Sequence, residues 1–176
     1  MTLNPRSLTL ALFLTALATG ASAPLHAAAA GPAFVRLLTH YEPIRLALFQ
    51  DSTAGIADHA ARLQQELEGL AAGFDAARTG VAGDADVARK ALQEMAAAAG
   101  QLARAGNLEG ARAAFYELSK ALVRYRAQLD PSELPADSGR VAYCPMARKS
   151  WLQPAGPIGN PYYGSEMPTC GQIVGG

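Results

Sequence analysis

Both cysteines of this 176-residue chain lie in its C-terminal part, and each has a methionine close to it. Met146 follows Cys144 by two positions, and Met167 precedes Cys170 by three. Thiolate and thioether sulfurs are soft ligands, the kind that monovalent copper and silver prefer. The sequence therefore predicts a copper(I) or silver(I) site with Cys144 and Cys170 as thiolates and Met146 and Met167 as thioethers.

The same two cysteines are also compatible with a disulfide. They are 26 positions apart, and closing a loop of that size would stabilise the protein by roughly 3–4 kcal/mol. The two interpretations can alternate, with a Cys144–Cys170 disulfide as the resting form and the dithiolate as the binding form. Structural zinc fits poorly, because the segment has no histidine and no closely spaced cysteine pair.

Aromatic residues surround the cysteines. We expect four of them to anchor the segment to the rest of the protein: Tyr143, Trp151, Tyr162 and Tyr163. Asn160 and Pro161, followed by Gly164, are typical of a turn. The sequence therefore predicts an irregular segment that is held in place by its rings.

The remaining polar residues do not form a catalytic arrangement. No histidine stands near a serine of the C-terminal segment, and no glycine-rich phosphate loop occurs. His40 and His59 lie on the shoulders of apolar helical stripes, so we expect packing residues rather than ligands, although a site could borrow their imidazoles. The prediction is a binding protein and not an enzyme.

The elements that position the site are helical. Apolar residues recur every three or four positions over residues 34–48, 56–74, 87–102 and 108–129, which is the spacing of a helix with one buried face. Short connections favour antiparallel neighbours. We therefore predict an all-α fold, an up-down four-helix bundle with an irregular C-terminal loop docked on it.

Polar residues suggest where the helices begin. Residues 51–53 offer an N-cap for the second helix, Asp84 or Asp86 for the third and Asn107 for the fourth. Pro43 conflicts with the first stripe, because proline inside a helix removes a hydrogen bond. Either the first helix kinks there or it begins near Glu42.

The N-terminal stretch indicates export. Arg6 precedes an apolar run over residues 8–18 and then small residues, which is typical of a secretory signal peptide. We predict a signal peptide over residues 1–29 and a periplasmic or secreted mature protein. The further boundaries are a bundle over 30–130, a linker over 131–142 and the Cys/Met-containing loop over 143–176.

Charge limits the partners of the mature chain. The precursor has 15 basic and 15 acidic residues. Losing the first 29 residues removes only Arg6 from this balance and leaves a net charge of −1. Nucleic acid requires a clustered positive field, so it is not expected as a partner. We also expect no membrane insertion after signal cleavage.

The C-terminal motifs resemble a bacterial family of exported helical domains of unknown function. The resemblance rests on residues 143–147, Trp151-Leu152, residues 160–164, and Met167 with Cys170-Gly171. That family occurs alone or fused to periplasmic adaptors of copper and silver efflux pumps. The resemblance implies an association with heavy-metal efflux and an efflux adaptor as partner.

The chain departs from the family pattern at three places. The insert between the CPM motif and Trp151 is short, and Pro168 replaces the more usual leucine after Met167. Gly110 and Ala114 occupy a stretch where some members carry histidines. A ligand from the fourth helix is therefore not expected.

Overall fold

The computed structural model describes residue 1, residues 33–134 and residues 139–175. The predicted signal peptide, apart from Met1, lies outside these residues. The described part contains four α-helices, which confirms the predicted helix count: α1 Ala33–Phe49, α2 Ile56–Ala72, α3 Ala85–Ala103 and α4 Leu108–Arg126. A short 3-10 helix follows at Pro131–Glu133. No described helix combines the length and apolar character needed to cross a membrane.

Two predicted helix starts are confirmed, and one is wrong. The Asp84 carboxylate accepts from two backbone N–H groups at the start of α3, and the Asn107 side chain accepts from Gly110 N–H at the start of α4. Helix α2 instead has Gly55 as its N-cap, with φ 74° and no side-chain cap. The hydroxyl of Ser52 is used earlier, by the N–H of Ala54 at 3.1 Å.

Pro43 lies inside α1, so this helix does not begin at Glu42. Proline has no N–H and removes one hydrogen bond of the helix. The apolar residues on both sides of it, among them Leu37, Tyr41 and Ile44, are each no more than 1 % exposed. Burial of the same face before and after the proline keeps α1 in one piece.

The all-α prediction is wrong, because the C-terminal part forms a sheet rather than an irregular loop. Three strands pair antiparallel in the order β2-β1-β3: β1 Arg140–Cys144, β2 Lys149–Gln153 and β3 Gln172–Gly175. Each strand has only four or five residues, too few for a clear period-two signal. Strand β1 begins within the segment predicted as a linker.

The sheet shares one hydrophobic core with the helices. Trp151 and Leu152 of β2 are at most 1 % exposed and belong to the same cluster as Phe115 of α4. Strand β2 packs on α4, and Tyr41 of α1 stacks on Phe115 with ring centroids 5.0 Å apart. The sheet therefore completes the alanine-rich bundle instead of lying on its surface.

Candidate metal centre

The two cysteines meet because β1 pairs with both other strands. Cys144 is the last residue of β1 and stands opposite Lys149 across a turn over residues 145–148. On the other side, Tyr143 pairs with Gln172 of β3. Cys170, two residues before Gln172, is thereby carried to the end of β1. The two Sγ atoms lie 2.8 Å apart.

Both cysteines are free thiols in this structure. Their Sγ···Sγ distance of 2.8 Å exceeds the roughly 2.05 Å of a disulfide bond. Cys144 is fully buried, whereas Cys170 is partly exposed. The structure therefore shows a dithiol pair reachable from one side, and the Cys144–Cys170 disulfide stays a prediction.

Hydrogen bonds shift the pKa values of the two thiols in opposite directions. Burial alone raises the pKa of Cys144, but hydrogen bonds from Cys170, from the N–H groups of Ala147 and Met146, and from the Asn160 side chain lower it on balance. The pKa of Cys170 is raised by its hydrogen bond to Cys144, by burial and by the charge on Cys144. The first thiolate therefore forms on Cys144, while Cys170 keeps its proton longer.

The turn after β1 supplies these donors. The N–H of Ala147 points at the Cys144 sulfur with an N···S distance of 3.4 Å. Arg148, at the end of the turn, has φ 55°, a left-handed conformation that non-glycine residues adopt uncommonly. The turn thus directs backbone N–H groups inward at the buried sulfur, and N–H donors favour the charged form of an acceptor.

The two predicted methionine ligands contact the pair through their backbones. The N–H of Met146 lies close enough to the cysteine sulfurs to lower the pKa of both thiols, and the carbonyl of Met167 accepts from Cys170 N–H at 3.2 Å. Met146 is 66 % exposed, so packing does not fix its side chain. Met167 is partly buried. The structure brings the cysteine sulfurs together and places a methionine backbone beside each.

Asn160 is a buried positioning residue whose contact with the thiols was not predicted from the sequence, which indicated only a turn there. It is fully buried, and its side-chain Nδ2 donates to the Cys170 carbonyl at 2.9 Å. Its Oδ1 accepts from Tyr162 N–H at 2.8 Å. Its backbone N–H also donates to the Pro168 carbonyl at 2.9 Å. One asparagine therefore ties the segment carrying Cys170 to the segment before Tyr162.

Trp151 lies beneath the backbone that carries Cys170. A Cβ atom at Gly171, which has φ 155°, would stand 2.8 Å from Cη2 of Trp151. Trp151 is fully buried, and its Nε1 donates to Gln153 at 3.1 Å. Only glycine lets the chain pass this close to the ring, so the indole sets the position of the thiol next to it.

The aromatic residues predicted as anchors divide into two groups. Trp151 and Tyr162 are buried, and their rings meet edge-on with centroids 5.9 Å apart. The Tyr162 hydroxyl donates to the Ser150 carbonyl at 2.8 Å. Tyr143 and Tyr163 are only partly buried. Contact with the helices is thus concentrated in Trp151 and Tyr162.

An ion pair holds the far end of the segment. Arg112 of α4 bonds the Asp51 carboxylate at 2.5 Å and the Pro161 carbonyl at 2.9 Å. The same carboxylate accepts from Ser165 N–H at 2.9 Å. Gly164, with φ 52°, lies against Asp51 with no room for a side chain. These contacts fix the loop between β2 and β3 to α4 and to the turn that follows α1.

The two histidines contact each other and belong to α1 and α2, not to the sheet. Across the described ranges, no group of three or more His, Cys, Asp or Glu side chains is arranged to hold a metal ion. A site on the sheet would therefore rely on the two thiols and on thioethers.

The fold and the dithiol define a mixed α/β class: four helices followed by a three-stranded antiparallel sheet that carries a cysteine pair at one end. No protein-family model matches this chain, and neither a curated protein nor a solved structure does. The resemblance of the C-terminal motifs to a family of exported helical domains of unknown function stays a prediction.

Proposed function

We propose that the protein binds monovalent copper or silver through Cys144 and Cys170 and sequesters the ion or passes it to an efflux adaptor. The observation that supports this is the 2.8 Å approach of two thiols, one of which has its pKa lowered by hydrogen bonds despite burial. Thiolate, not thiol, is the ligand form. Two adjacent sulfurs with a ready thiolate are suited to a soft cation.

Metal binding requires the two cysteine sulfurs to move apart. With metal–sulfur bonds of about 2.3 Å, two ligand sulfurs stand about 3.8–4.6 Å apart, from tetrahedral to linear geometry. Cys144 is fixed at the end of β1, whereas Cys170 is partly exposed in a turn before β3. We expect Cys170 to move outward by rotation of its side chain, because the buried partner has no room to do so.

The methionines add the third and fourth ligands of the proposal. Met146 is exposed on the turn that follows Cys144, and Met167 lies in the turn that leads to Cys170. Soft ligands that solvent can reach permit exchange of the ion with a second protein. Export, predicted from the N-terminal stretch, would place the site in the compartment from which efflux adaptors collect metal.

The experiment is a titration of the reduced protein with copper(I) in competition with a chromophoric chelator. We expect one ion per chain, and loss of that binding in Cys144→Ser and in Cys170→Ser. A Met146→Leu, Met167→Leu double variant should weaken binding by less. Met95→Leu, which changes a methionine buried in α3, is the control and should bind as the wild type does.

Two outcomes would revise the proposal. Undiminished copper affinity in both serine variants would reject it. Undiminished affinity in the Met146→Leu, Met167→Leu variant would remove the thioethers and leave a two-thiolate site.

A second function is favoured by the burial of Cys144 and its contact with Cys170. The pair could form a structural disulfide that staples the sheet, in a protein that binds another protein and no metal. Cys144→Ser would then lower the melting temperature without changing any response to metal. Thiols outside a disulfide are counted in protein taken directly from the periplasm of cells grown with and without copper, after the metal has been removed with a chelator. If copper(I) binds the thiolates before they are oxidised, it protects them and the count rises, whereas for a purely structural disulfide the count stays near zero in both cases.

A further inference from the structure

His40 on α1 and His59 on α2 face each other across the helix pair. Their Nδ1 atoms are 3.3 Å apart, their ring centroids are 5.6 Å apart, and the rings are tilted by 47°. Both residues are partly buried. The sequence suggested two separate packing residues, whereas the structure makes them a pair with converging ring nitrogens.

The spacing of these nitrogens matches a metal geometry. In a tetrahedral zinc site with Zn–N bonds of about 2.0–2.1 Å, two ligand nitrogens stand about 3.3 Å apart. We propose that His40 and His59 bind a zinc-class divalent cation through their Nδ1 atoms, with water in the two remaining positions. This site is open rather than closed, because only two side chains hold it.

Without metal, the two imidazole rings contact each other directly. The two Nδ1 atoms lie 3.3 Å apart, within hydrogen-bond distance, so in a pair of neutral rings an Nδ1–H on one can donate to the Nδ1 of the other. On metal binding that proton moves to Nε2 of the same ring, so both rings stay neutral and both Nδ1 atoms donate lone pairs to the cation. The helices already hold the rings at the required separation, so little reorganisation is needed.

The charges around the histidine pair are compatible with metal binding. The pKa of His40 is lowered by burial, then by His59 and by the Arg62 charge, against an opposing effect of Glu66. A neutral imidazole is the form that binds metal. The Glu66 carboxylate, which accepts from Arg36 at 2.6 Å, partly offsets the charge that a bound cation would add.

The histidine pair is independent of the proposed copper site. Its ligands come from α1 and α2, whereas the cysteines come from the sheet and the loop before β3. Imidazole nitrogen suits zinc-class ions, and thiolate with thioether suits monovalent copper. An experiment that disproves one of the two sites therefore does not bear on the other.

The test uses the full chain with Cys144→Ser and Cys170→Ser, so that zinc cannot bind the thiolates. Zinc(II) is titrated by calorimetry, and cobalt(II) serves as a spectroscopic probe of tetrahedral coordination. We expect one ion per chain. His40→Gln and His59→Gln should each weaken binding by about tenfold or more, since even loss of a supporting partner costs 10–100-fold.

Arg62→Gln is the matched control on α2, because it removes a nearby charge and no ligand; its zinc affinity should be equal to or higher than that of the parent. Should the serine background not fold, the imidazole proton resonances of the wild type are followed as zinc is added. Absence of zinc binding, or equal affinity in the parent and both glutamine variants, would overturn the proposal. Resonances that stay unmoved in the wild type would do the same.

Discussion

The hydroxyl oxygen of Tyr41 on α1 accepts a hydrogen bond from the backbone N–H of Leu152 on β2, with an N···O distance of 3.1 Å. The same hydroxyl lies 2.8 Å from Oγ of Ser119 on α4. Strand β2 is an edge of the sheet, so its outward N–H would lack a partner without this helix. One buried tyrosine therefore joins the sheet to two helices.

Tyr41→Phe should destabilise the protein by about 1–3 kcal/mol, because it leaves the buried N–H of Leu152 without an acceptor. Urea unfolding measures the loss. Tyr163→Phe, which changes a partly exposed ring in the loop, is the control and should shift stability by less than about 0.5 kcal/mol. Equal effects of the two changes would mean that the Tyr41 hydroxyl does not hold the sheet.

The thiols should titrate in two separated steps. The wild type should form its first thiolate below the ordinary pKa of a cysteine thiol and its second above it, as followed by thiolate absorbance. Asn160→Asp replaces a donor beside Cys144 with a carboxylate, so the first step should move to higher pH. Asn107→Asp makes the same change at the N-cap of α4 and should leave both steps in place. A first step that does not move would contradict the role given to Asn160.

Asp51 should make the protein sensitive to acid. Hydrogen bonds from the Ser165 side chain and N–H and from Arg112 lower the pKa of Asp51 to about 2, from an ordinary 3.8. A carboxyl with a depressed folded-state pKa contributes stability above its unfolded value and loses it as pH falls toward the folded value. The contribution should thus be complete above about pH 4 and disappear toward about pH 2.

Asp51→Asn tests this, because asparagine tolerates the φ of 55° found at this position. The urea midpoint of the variant should lie below that of the wild type at neutral pH, and the gap should narrow as pH falls from about 4 to about 2. Glu68→Gln, an exposed change on α2, should keep the pH profile of the wild type. A constant gap across this range would show that Asp51 is not the titrating group.

Gly171→Ala should disturb the cysteine site, because its side chain would clash with the Trp151 ring. The added Cβ would stand 2.8 Å from Trp151 Cη2 and 3.2 Å from Ile158 Cγ2, and overpacking of this kind costs about 1–3 kcal/mol. Since Gly171 follows Cys170, we also expect weaker copper(I) binding. Gly69→Ala, in α2 with open space around it, should instead stabilise by about 0.5–1 kcal/mol. Equal stability of the two variants would argue against a close fit over the indole.

The helices could be predicted because their signal is local. Apolar residues at helical spacing mark each buried face, and the caps Asp84 and Asn107 stand in the sequence next to the turns that they begin. The cap of α2 could not be predicted in this way. Gly55 acts there through its backbone conformation, which leaves no side-chain signal.

The sheet and the precise site could not be predicted from one sequence. Strands of four or five residues carry little periodicity. Strand β1 pairs with β3 only after about 30 intervening residues have folded back, and no local pattern encodes such a pairing.

The sequence by itself determined which atoms are chemically able to bind a soft cation, because residue type alone decides that a sulfur is soft. Tertiary structure decided that two of these sulfurs touch, that Asn160 and backbone N–H groups bias one toward the thiolate, and that two imidazoles form a pair. The reason is that distances between residues far apart in the chain are set by packing of the shared core.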